Sequence, residues 1–157
     1  MRLTTKGRFA VMAMVDLALR GNNKPVTLAS ISEHQKISQS YLEQLFGKLR
    51  KRKIVIAIRG PGGGYRLSRP GTQISIADIV VAVDESVDAT RCGGMANCHE
   101  DRQCVTHDLW MGLNEALYKY MAGISLQDIV DNATQSKSET KVIAIDINLD
   151  KQVPALM

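Results

Sequence analysis

The apolar positions near the N-terminus fall into three consecutive helical segments. Residues 9–19 are apolar almost all round and are followed by Gly21, which is typical of a helix buried by its neighbours. Thr27 is placed to cap a second, short helix that ends near Gln35. The third segment has apolar side chains at the spacing of one helix face, namely Leu42, Leu45, Phe46 and Leu49. The pattern predicts a helix-turn-helix core at residues 28–51.

Two short β-branched or aromatic runs follow this core. The first covers residues 54–59, and the second resumes at residues 65–68 after the glycine-rich stretch 60–64, as in a hairpin with a narrow tip. Helix, helix, turn, helix and hairpin is the order of elements in a winged helix-turn-helix. The glycines do not form a nucleotide-phosphate loop, because that loop needs a Lys-Ser/Thr pair opening a helix, and here Tyr65 opens a strand.

The second half of the chain predicts further helices and one aperiodic stretch. Helices are expected at residues 74–83, with Asp78 on the polar side, at residues 105–121, and from a cap at Ser125 through Asn132. The fold class is therefore mainly α with a small β-hairpin wing. We expect a winged helix-turn-helix domain at residues 1–70 with its wing at 54–68, a loop and further helices at 71–132, and a flexible tail at 133–157.

The helix at 105–121 carries more apolar surface than a solvated helix needs. We expect a homodimer through its apolar stripe, which consists of Leu109, Leu113, Ala116, Leu117 and Tyr120. The alternative is packing of this stripe onto the wing domain of the same chain.

Composition and charge narrow the class of protein. The chain has 157 residues, 45% of them hydrophobic and 23% charged, and it contains no apolar run long enough for a membrane helix. The N-terminus lacks the features of a cleaved signal peptide, so a cytoplasmic, reduced protein is expected. Residues 1–70 contain fourteen Lys and Arg against three acidic residues, whereas residues 71–157 contain six against thirteen. A basic first half is typical of a nucleic-acid binder.

The third helix is the predicted reader of DNA. Recognition helices meet base edges through their N-terminal residues, and Gln44 can pair with adenine while Glu43 can accept from cytosine. An S-x-x-E spacing also predicts a capping box between Ser40 and Glu43, which would give both a structural role. Basic residues, including Lys6 and Arg8 ahead of the first helix, are expected on phosphates, and the wing tip in the minor groove. The expected DNA contacts are Arg2, Thr4, Lys6, Ser38, Ser40, Tyr41, Glu43, Gln44, Lys48, Lys51, Arg59, Gly60 and Pro61.

Three cysteines and one histidine are concentrated in the aperiodic stretch. Cys92, Cys98 and Cys104 have the spacing C-x5-C-x5-C, and His107 follows about one helical turn after Cys104. In a reduced chain, three thiols in one polar, glycine-containing loop favour metal ligands over unrelated buried cysteines. A Cys3His set suits structural zinc, but the short C-x2-C knuckle is missing, and the spacing is not a common ferredoxin one. Zinc and an iron–sulfur cluster both stay open on this evidence, and His99 is interpreted as a bystander.

Four segments together resemble one family of bacterial transcription factors. They are LTTKGRFA at residues 3–10, SYLEQLF at 40–46, RGPGGGY at 59–65 and VDESVDATRC at 83–92. These motifs resemble the winged-helix family that contains the bacterial iron–sulfur cluster regulators, and the resemblance covers residues 1–132. It implies a homodimer that binds a 2Fe–2S cluster through three cysteines and one histidine, which correspond here to Cys92, Cys98, Cys104 and His107.

The same resemblance implies a regulatory activity. It implies repression of the operon for cluster assembly by the loaded protein and regulation of other promoters without the cluster, with iron–sulfur assembly proteins as cluster donors. A zinc-stabilised winged-helix regulator without cluster sensing is the first alternative. A redox enzyme is the second, but the sequence shows no acid/base pair, nucleophile constellation or flavin motif beside the loop. We therefore expect a DNA-binding regulator and not an enzyme.

Overall fold

The computed structural model describes residues 5–22, 24–84, 88–90, 92–99 and 102–135. The elements, in chain order, are α1 (Thr5–Gly21), α2 (Leu28–Gln35), α3 (Gln39–Lys51), β1 (Val55–Ile58), β2 (Gly64–Leu67), a 3-10 turn (Gly71–Gln73), α4 (Ile76–Ala82), α5 (His107–Ala122) and α6 (Leu126–Gln135). The architecture is the expected one, mainly helical with a two-stranded antiparallel wing. Within the described ranges, every helix is too short or too polar to cross a membrane.

The core forms where α1, α2 and α3 pack together beside the wing. The four apolar residues predicted to face inward from α3 are each at most 1% exposed, and Met14 and Leu17 of α1 are equally buried. The ring of Phe46 meets that of Tyr65 on β2 edge-on at 4.9 Å between centroids. Such aromatic contacts add to the stabilisation from apolar burial, so they hold the wing against α3.

The starts of the first two helices test the predicted bounds. α1 begins at Thr5 and not at residue 9, so Lys6 and Arg8 belong to the helix and not to an arm ahead of it. The cap on α2 is confirmed, because the Thr27 hydroxyl accepts a hydrogen bond from the Ser30 backbone N–H at 3.2 Å. Arg2 and Thr4 lie outside the described residues.

The predicted capping box on α3 is wrong. Lys36 adopts the left-handed conformation after α2, and α3 begins at Gln39 with Ser38 as its N-cap. Ser40 therefore lies inside the first turn, where it cannot cap, and the Glu43 carboxylate accepts from the Gln39 side chain at 3.2 Å. The structure instead has reciprocal capping contacts of Ser75 with Asp78 on α4 and of Ser125 with Asp128 on α6.

The wing is pinned to the loop before α2. Val55 pairs with Leu67 and Ile58 with Gly64, which is close to the predicted hairpin. Val26 exchanges two backbone hydrogen bonds of 2.8 Å with Tyr65 and so extends the sheet by one bridge. Gly64 has φ of 152°, and a Cβ at this position would lie 2.5 Å from the Val26 carbonyl oxygen. This close approach requires glycine.

The second half of the chain returns to the same core. Ile74 accepts from the backbone N–H of Leu126 at 2.8 Å, and this extended pairing makes α4 begin at Ile76 and not at residue 74. Leu126 is fully buried in the same core cluster as Leu17, although the predicted domain boundary at residue 70 lies between them in the chain. α5 begins at His107 and not at 105. α6 continues to Gln135, so the first residues of the predicted tail are helical, and residues 136–157 lie outside the described part.

A buried carboxylate joins α1 to α2. Asp16 is 1% exposed, and it forms an ion pair with Arg20 on its own helix. Across the helix pair, its carboxylate contacts His34 Nδ1 at 2.5 Å and accepts from Gln35 Nε2 at 3.1 Å. Because a buried carboxylate is stable only when it is paired, the sequence must supply these partners. The network fixes the first helix of the helix-turn-helix on α1.

Candidate metal centre and nucleic-acid interface

Three of the four predicted metal ligands form one compact group. Cys92 Sγ lies 3.5 Å and Cys98 Sγ 3.6 Å from His107 Nδ1, and the three donor atoms all lie within 4.8 Å of one another. Cys104 is joined to this group through its backbone N–H, which donates to Cys98 Sγ at 3.2 Å. The chain therefore brings all four predicted residues to one place at the start of α5.

Tight turns in the loop make this convergence possible. Gly93 and Gly94 have φ of 63° and 81°, the left-handed region that glycine adopts without strain. His99 and Arg102 then exchange two backbone hydrogen bonds of 2.8 and 3.0 Å, which turn the chain back toward α5. His107 is the first residue of α5 and is 6% exposed. The positive end of the helix dipole thus lies beside the thiols and favours their ionised form.

A polar network that the sequence pattern did not reveal attaches the loop to α5. The Asn114 side chain donates to the Asp88 carboxylate and accepts from the Ala89 backbone N–H, both at 2.7 Å. The same carboxylate accepts from the hydroxyl and the N–H of Thr90, and these bonds lower the pKa of Asp88. The Thr90 hydroxyl accepts in turn from Gly94 N–H at 2.9 Å. The one feature of the sequence that could have indicated this network is a polar residue, Asn114, on the inner side of α5.

The three thiols differ in acidity. Burial raises the pKa of Cys92, but hydrogen bonds from the backbone of Ala96 and Gly94 outweigh it and lower the pKa to about 7. For Cys98, the backbone hydrogen bond from Cys104 lowers the pKa, yet the neighbouring Cys104 side chain and burial raise it overall. The pKa of Cys104 is lowered by its contacts with Cys98 and Thr106. Two of the three sulfurs are therefore prepared to ionise, as metal ligands must.

A cavity of about 430 Å³ lies between these ligands. Besides the four ligands, its lining includes His99 and Trp110, which is the single tryptophan of the chain. The Trp110 indole N–H donates to the Thr106 hydroxyl at 3.2 Å. Three sulfur donors and one imidazole are soft and borderline ligands, so the cavity suits zinc or an iron–sulfur cluster and not a hard cation such as magnesium.

The polar side of α3 faces outward as predicted. Ser38, Ser40, Glu43, Gln44 and Lys51 are exposed, as are the wing-tip residues Arg59, Gly60 and Pro61. Tyr41 is half-buried, with its ring 6.0 Å from that of Phe9 on α1.

Two of the lysines that were expected to contact DNA phosphates contact the end of α4. Lys48 Nζ pairs with the Asp84 carboxylate at 2.9 Å, and Lys6 Nζ donates to the Asp84 carbonyl at 3.1 Å. Neither contact could be predicted from the sequence, because Asp84 is 36 residues from Lys48 along the chain.

The predicted apolar stripe on α5 is largely uncovered. Leu109 and Tyr120 are 64% and 57% exposed, and Ala116 is exposed too. Leu113 and Leu117 are half-buried. The helix packs on α4, and the side chains of this stripe remain available for another partner.

Three helices, an antiparallel wing and an outward polar third helix define a winged helix-turn-helix DNA-binding protein. The comparison with protein families gives the particular group, because residues 3–132 match the model of the Rrf2 family, described as iron-dependent transcriptional regulators. The chain belongs to the Rrf2 family. It is therefore a DNA-binding transcriptional regulator, a class without enzymatic activity, as the sequence predicted.

Individual relatives agree with this assignment. The HTH-type transcriptional regulator IscR of Xenorhabdus nematophila is 54% identical over 132 residues, which cover 84% of this chain and 80% of the relative. Among solved structures, T. potens IscR superposes with a TM-score of 0.72 at 32% identity and covers 87% of this chain and 91% of its own. CymR, the global cysteine regulator of B. subtilis, has a TM-score of 0.71 at 28% identity and covers 84% and 98%.

Proposed function

We propose that this chain is a homodimeric transcription factor whose DNA binding responds to a 2Fe–2S cluster. The cluster would be held by Cys92, Cys98, Cys104 and His107, and would receive its iron and sulfide from iron–sulfur assembly proteins. The regulated genes would be those of cluster assembly, repressed by the loaded form, with activation at some other promoters. The observation that carries the proposal is the convergence of three thiols and one imidazole at the start of α5, in a chain similar to proteins named IscR.

The donor set is chemically suited to a sensor. When a cluster binds there, the occupancy of the site would depend on redox conditions and on the supply of iron. One imidazole in place of a fourth thiolate makes retention less secure, and the need for a deprotonated imidazole makes loading depend on pH. A site that loses its cluster when supply falls can report that supply. The hydrogen bonds that the Asn114 and Thr90 side chains accept would keep the first half of the loop in position for loading.

A zinc-stabilised regulator is the second candidate. The compactness of the Cys92, Cys98 and His107 donors, all within 4.8 Å, is compatible with ligation of one ion. In that case the metal would stabilise the fold, and DNA binding would not follow iron supply. The two candidates differ in colour, because a 2Fe–2S protein absorbs visible light and a zinc protein does not.

Anaerobic purification followed by metal analysis and visible spectroscopy tests the choice. We expect a brown protein with two irons and two sulfides per chain, as the formula of the cluster requires, and loss of the visible bands in Cys98→Ala and His107→Ala. His99→Ala is the matched control, because His99 lines the same cavity outside the compact group, and it should keep the bands. A colourless protein with one zinc per chain would refute cluster sensing, whereas loss of the bands in His99→Ala would refute the ligand assignment.

The DNA contacts follow from the exposed side of α3 and the wing. Gln44 and Glu43 would read base edges, and Lys51 and the wing tip would contact the backbone and minor groove. Glu43 is the acidic residue on an otherwise neutral or basic reading surface. It would repel sites that offer it no hydrogen-bond donor, such as a cytosine amino group. The loaded and cluster-free forms would prefer different sites, and Glu43 would enforce part of that difference.

The exposed stripe on α5 supports the dimer. Leu109 and Tyr120 present apolar surface that folding of one chain leaves in water. A two-fold interface along this helix would place two copies of α3 for half-sites about one DNA turn, roughly 34 Å, apart.

A further inference from the structure

The end of α4 is tied by two lysines to two other helices, the recognition helix α3 and α1. Lys48, on α3, contacts the Asp84 carboxylate at 2.9 Å and the Val83 carbonyl oxygen at 3.5 Å. Lys6, on α1, donates to the Asp84 carbonyl at 3.1 Å. Three elements that are far apart in the sequence therefore meet at one residue.

Asp84 occupies a special position along the chain. It follows α4 directly and adopts a left-handed backbone with φ of 55°, which is uncommon for a residue other than glycine. The chain then runs to Asp88, whose carboxylate is bonded to Asn114 and Thr90, and on to Cys92. Only three residues separate Asp84 from Asp88, so the two are close along the chain.

The ionisation of Asp84 is secured by its neighbours. The hydrogen bond and charge of Lys48 lower the pKa of this carboxyl, with smaller contributions from Arg52 and Lys6. The carboxylate is thus charged throughout the neutral range. It attracts a lysine that would otherwise be free to meet a DNA phosphate.

We propose that Asp84 is a positioning residue that couples the Cys/His site to the recognition helix through its ion pair with Lys48. This inference rests on the proposed function. With the site loaded, the four ligands and Asp88 are held, Asp84 is held with them, and Lys48 is oriented by the carboxylate. Without the metal group, Asp84 is freed from one side and Lys48 becomes available to any phosphate, so site selectivity changes.

The test compares the loaded and metal-free forms of the full chain in two backgrounds. The probe is a DNA duplex selected from a random library by the loaded wild-type protein. Asp84→Asn keeps the size of the side chain and removes its charge. Glu115→Gln is the matched control, because Glu115 loses an ion pair of 2.8 Å with Lys119 that stays within α5. Trp110 fluorescence confirms loading in every variant, since this residue lines the metal cavity.

We expect the ratio of the Kd values of the metal-free and loaded forms to move toward one by about two- to fivefold in Asp84→Asn, the range for a partly exposed ion pair, and to stay unchanged in Glu115→Gln. Lys48→Gln should weaken binding of both forms, and adding Asp84→Asn to it should change the ratio no further. Hydrogen exchange at residues 42–49 gives a second readout: loading should slow it in wild type and not in Asp84→Asn.

The outcomes separate this inference from the function on which it rests. If the wild-type Kd ratio is already one, the proposed metal-dependent function fails and the coupling fails with it. If wild type responds and Asp84→Asn responds equally in both Kd ratio and hydrogen exchange, the function stands and the coupling through Asp84 is overturned.

Discussion

The Asn114 side chain donates to the Asp88 carboxylate at 2.7 Å, although the two residues are 26 positions apart in the chain. Through this bond the segment that precedes Cys92 is attached to the middle of α5. The same helix supplies His107 at its first turn, so one rigid element positions both ends of the candidate metal loop. This attachment reduces the conformational entropy that the loop would lose on binding a metal.

Removing the Asn114 amide should therefore weaken metal binding without removing a ligand. For Asn114→Ala we expect about a tenfold loss of affinity for the metal or cluster, the lower end of the range for outer-shell partners. Competition with a chelator, followed by Trp110 fluorescence, measures the affinity. Asn132→Ala, at an exposed position of α6, is the control. Equal affinities for the two variants would show that the network has no part in the metal site.

The acidity of Cys92 predicts the order in which the metal-free thiols react. Its pKa is lowered to about 7, whereas that of Cys98 is raised. A lower thiol pKa increases the fraction of thiolate, which is the reactive form, at a given pH. Iodoacetamide should thus modify Cys92 before Cys98 at pH 8, and its rate at Cys92 should fall as the pH drops through 7. Peptide mass spectrometry after short exposures gives the order, and faster reaction at Cys98 would contradict it.

The absence of Glu43 from the cap that begins α3 makes its variant a clean test of DNA reading. Because Ser38 is the N-cap, Glu43→Ala should leave the melting temperature nearly unchanged while widening the range of sites bound. Circular dichroism and binding to a panel of duplexes measure the two effects. A lower melting temperature together with uniform loss of affinity would assign Glu43 a structural role only.

Base reading and phosphate contact should separate along the same helix. Gln44→Ala should relax preference at one base pair by about 1–3 kcal/mol if the contact is bidentate. Lys51→Ala should weaken all duplexes alike and reduce the salt dependence of log Kd by about one unit. Titrations at several salt concentrations distinguish them. If both variants lower affinity uniformly, α3 is not the reader.

The stripe on α5 should control the oligomeric state. Leu109→Asp places a charge on a side chain that is 64% exposed in the single chain, so it should prevent dimerisation without unfolding the protomer. Light scattering at micromolar concentration should show a dimer for wild type and a monomer for the variant. Leu19→Asp, at a 37% exposed position of α1, is the control and should stay dimeric. A monomeric wild type would refute the dimer itself.

The Asp16 network should contribute measurably to the stability of the helix-turn-helix. Asp16→Ala leaves Arg20, His34 and Gln35 without their shared acceptor, and we expect a loss of about 1–3 kcal/mol in the free energy of unfolding. Glu33→Ala removes an exposed carboxylate from α2 and should change stability by less than about 0.5 kcal/mol. Urea unfolding followed by circular dichroism compares the two, and equal values would show that burial of Asp16 adds nothing.

Most of the fold could be predicted from local patterns in the sequence. The spacing of Leu42, Leu45, Phe46 and Leu49 predicted the buried side of α3, and the glycine-rich stretch predicted the wing, because both depend on neighbours within a few residues. The cap of α3 was predicted two residues too late. Ser38 and Ser40 both have side chains that can cap a helix, and the turn at Lys36 decides which of them comes just before the first residue of α3.

The candidate metal ligands could be identified because they are close together in the chain, whereas the residues that support them could not. Asn114 and Asp88, or Lys48 and Asp84, meet only after the helices pack, and a single sequence holds no periodic signal for such long-range polar pairs. The extended pairing of Ile74 with Leu126 was missed for the same reason, and with it the late start of α4.

The burial of Leu126 has a consequence for the order in which the protein is made. The side chain completes a core that α1 and the 3-10 turn line, yet it follows the candidate metal ligands along the chain. Synthesis proceeds from the N-terminus, so the core of the DNA-binding half closes only after the candidate metal ligands have left the ribosome. A product that terminates early, before residue 126, leaves that core open. A chain that ends before Cys92 would therefore also lack Leu126, and it would not fold into a DNA-binding protein without the candidate metal site.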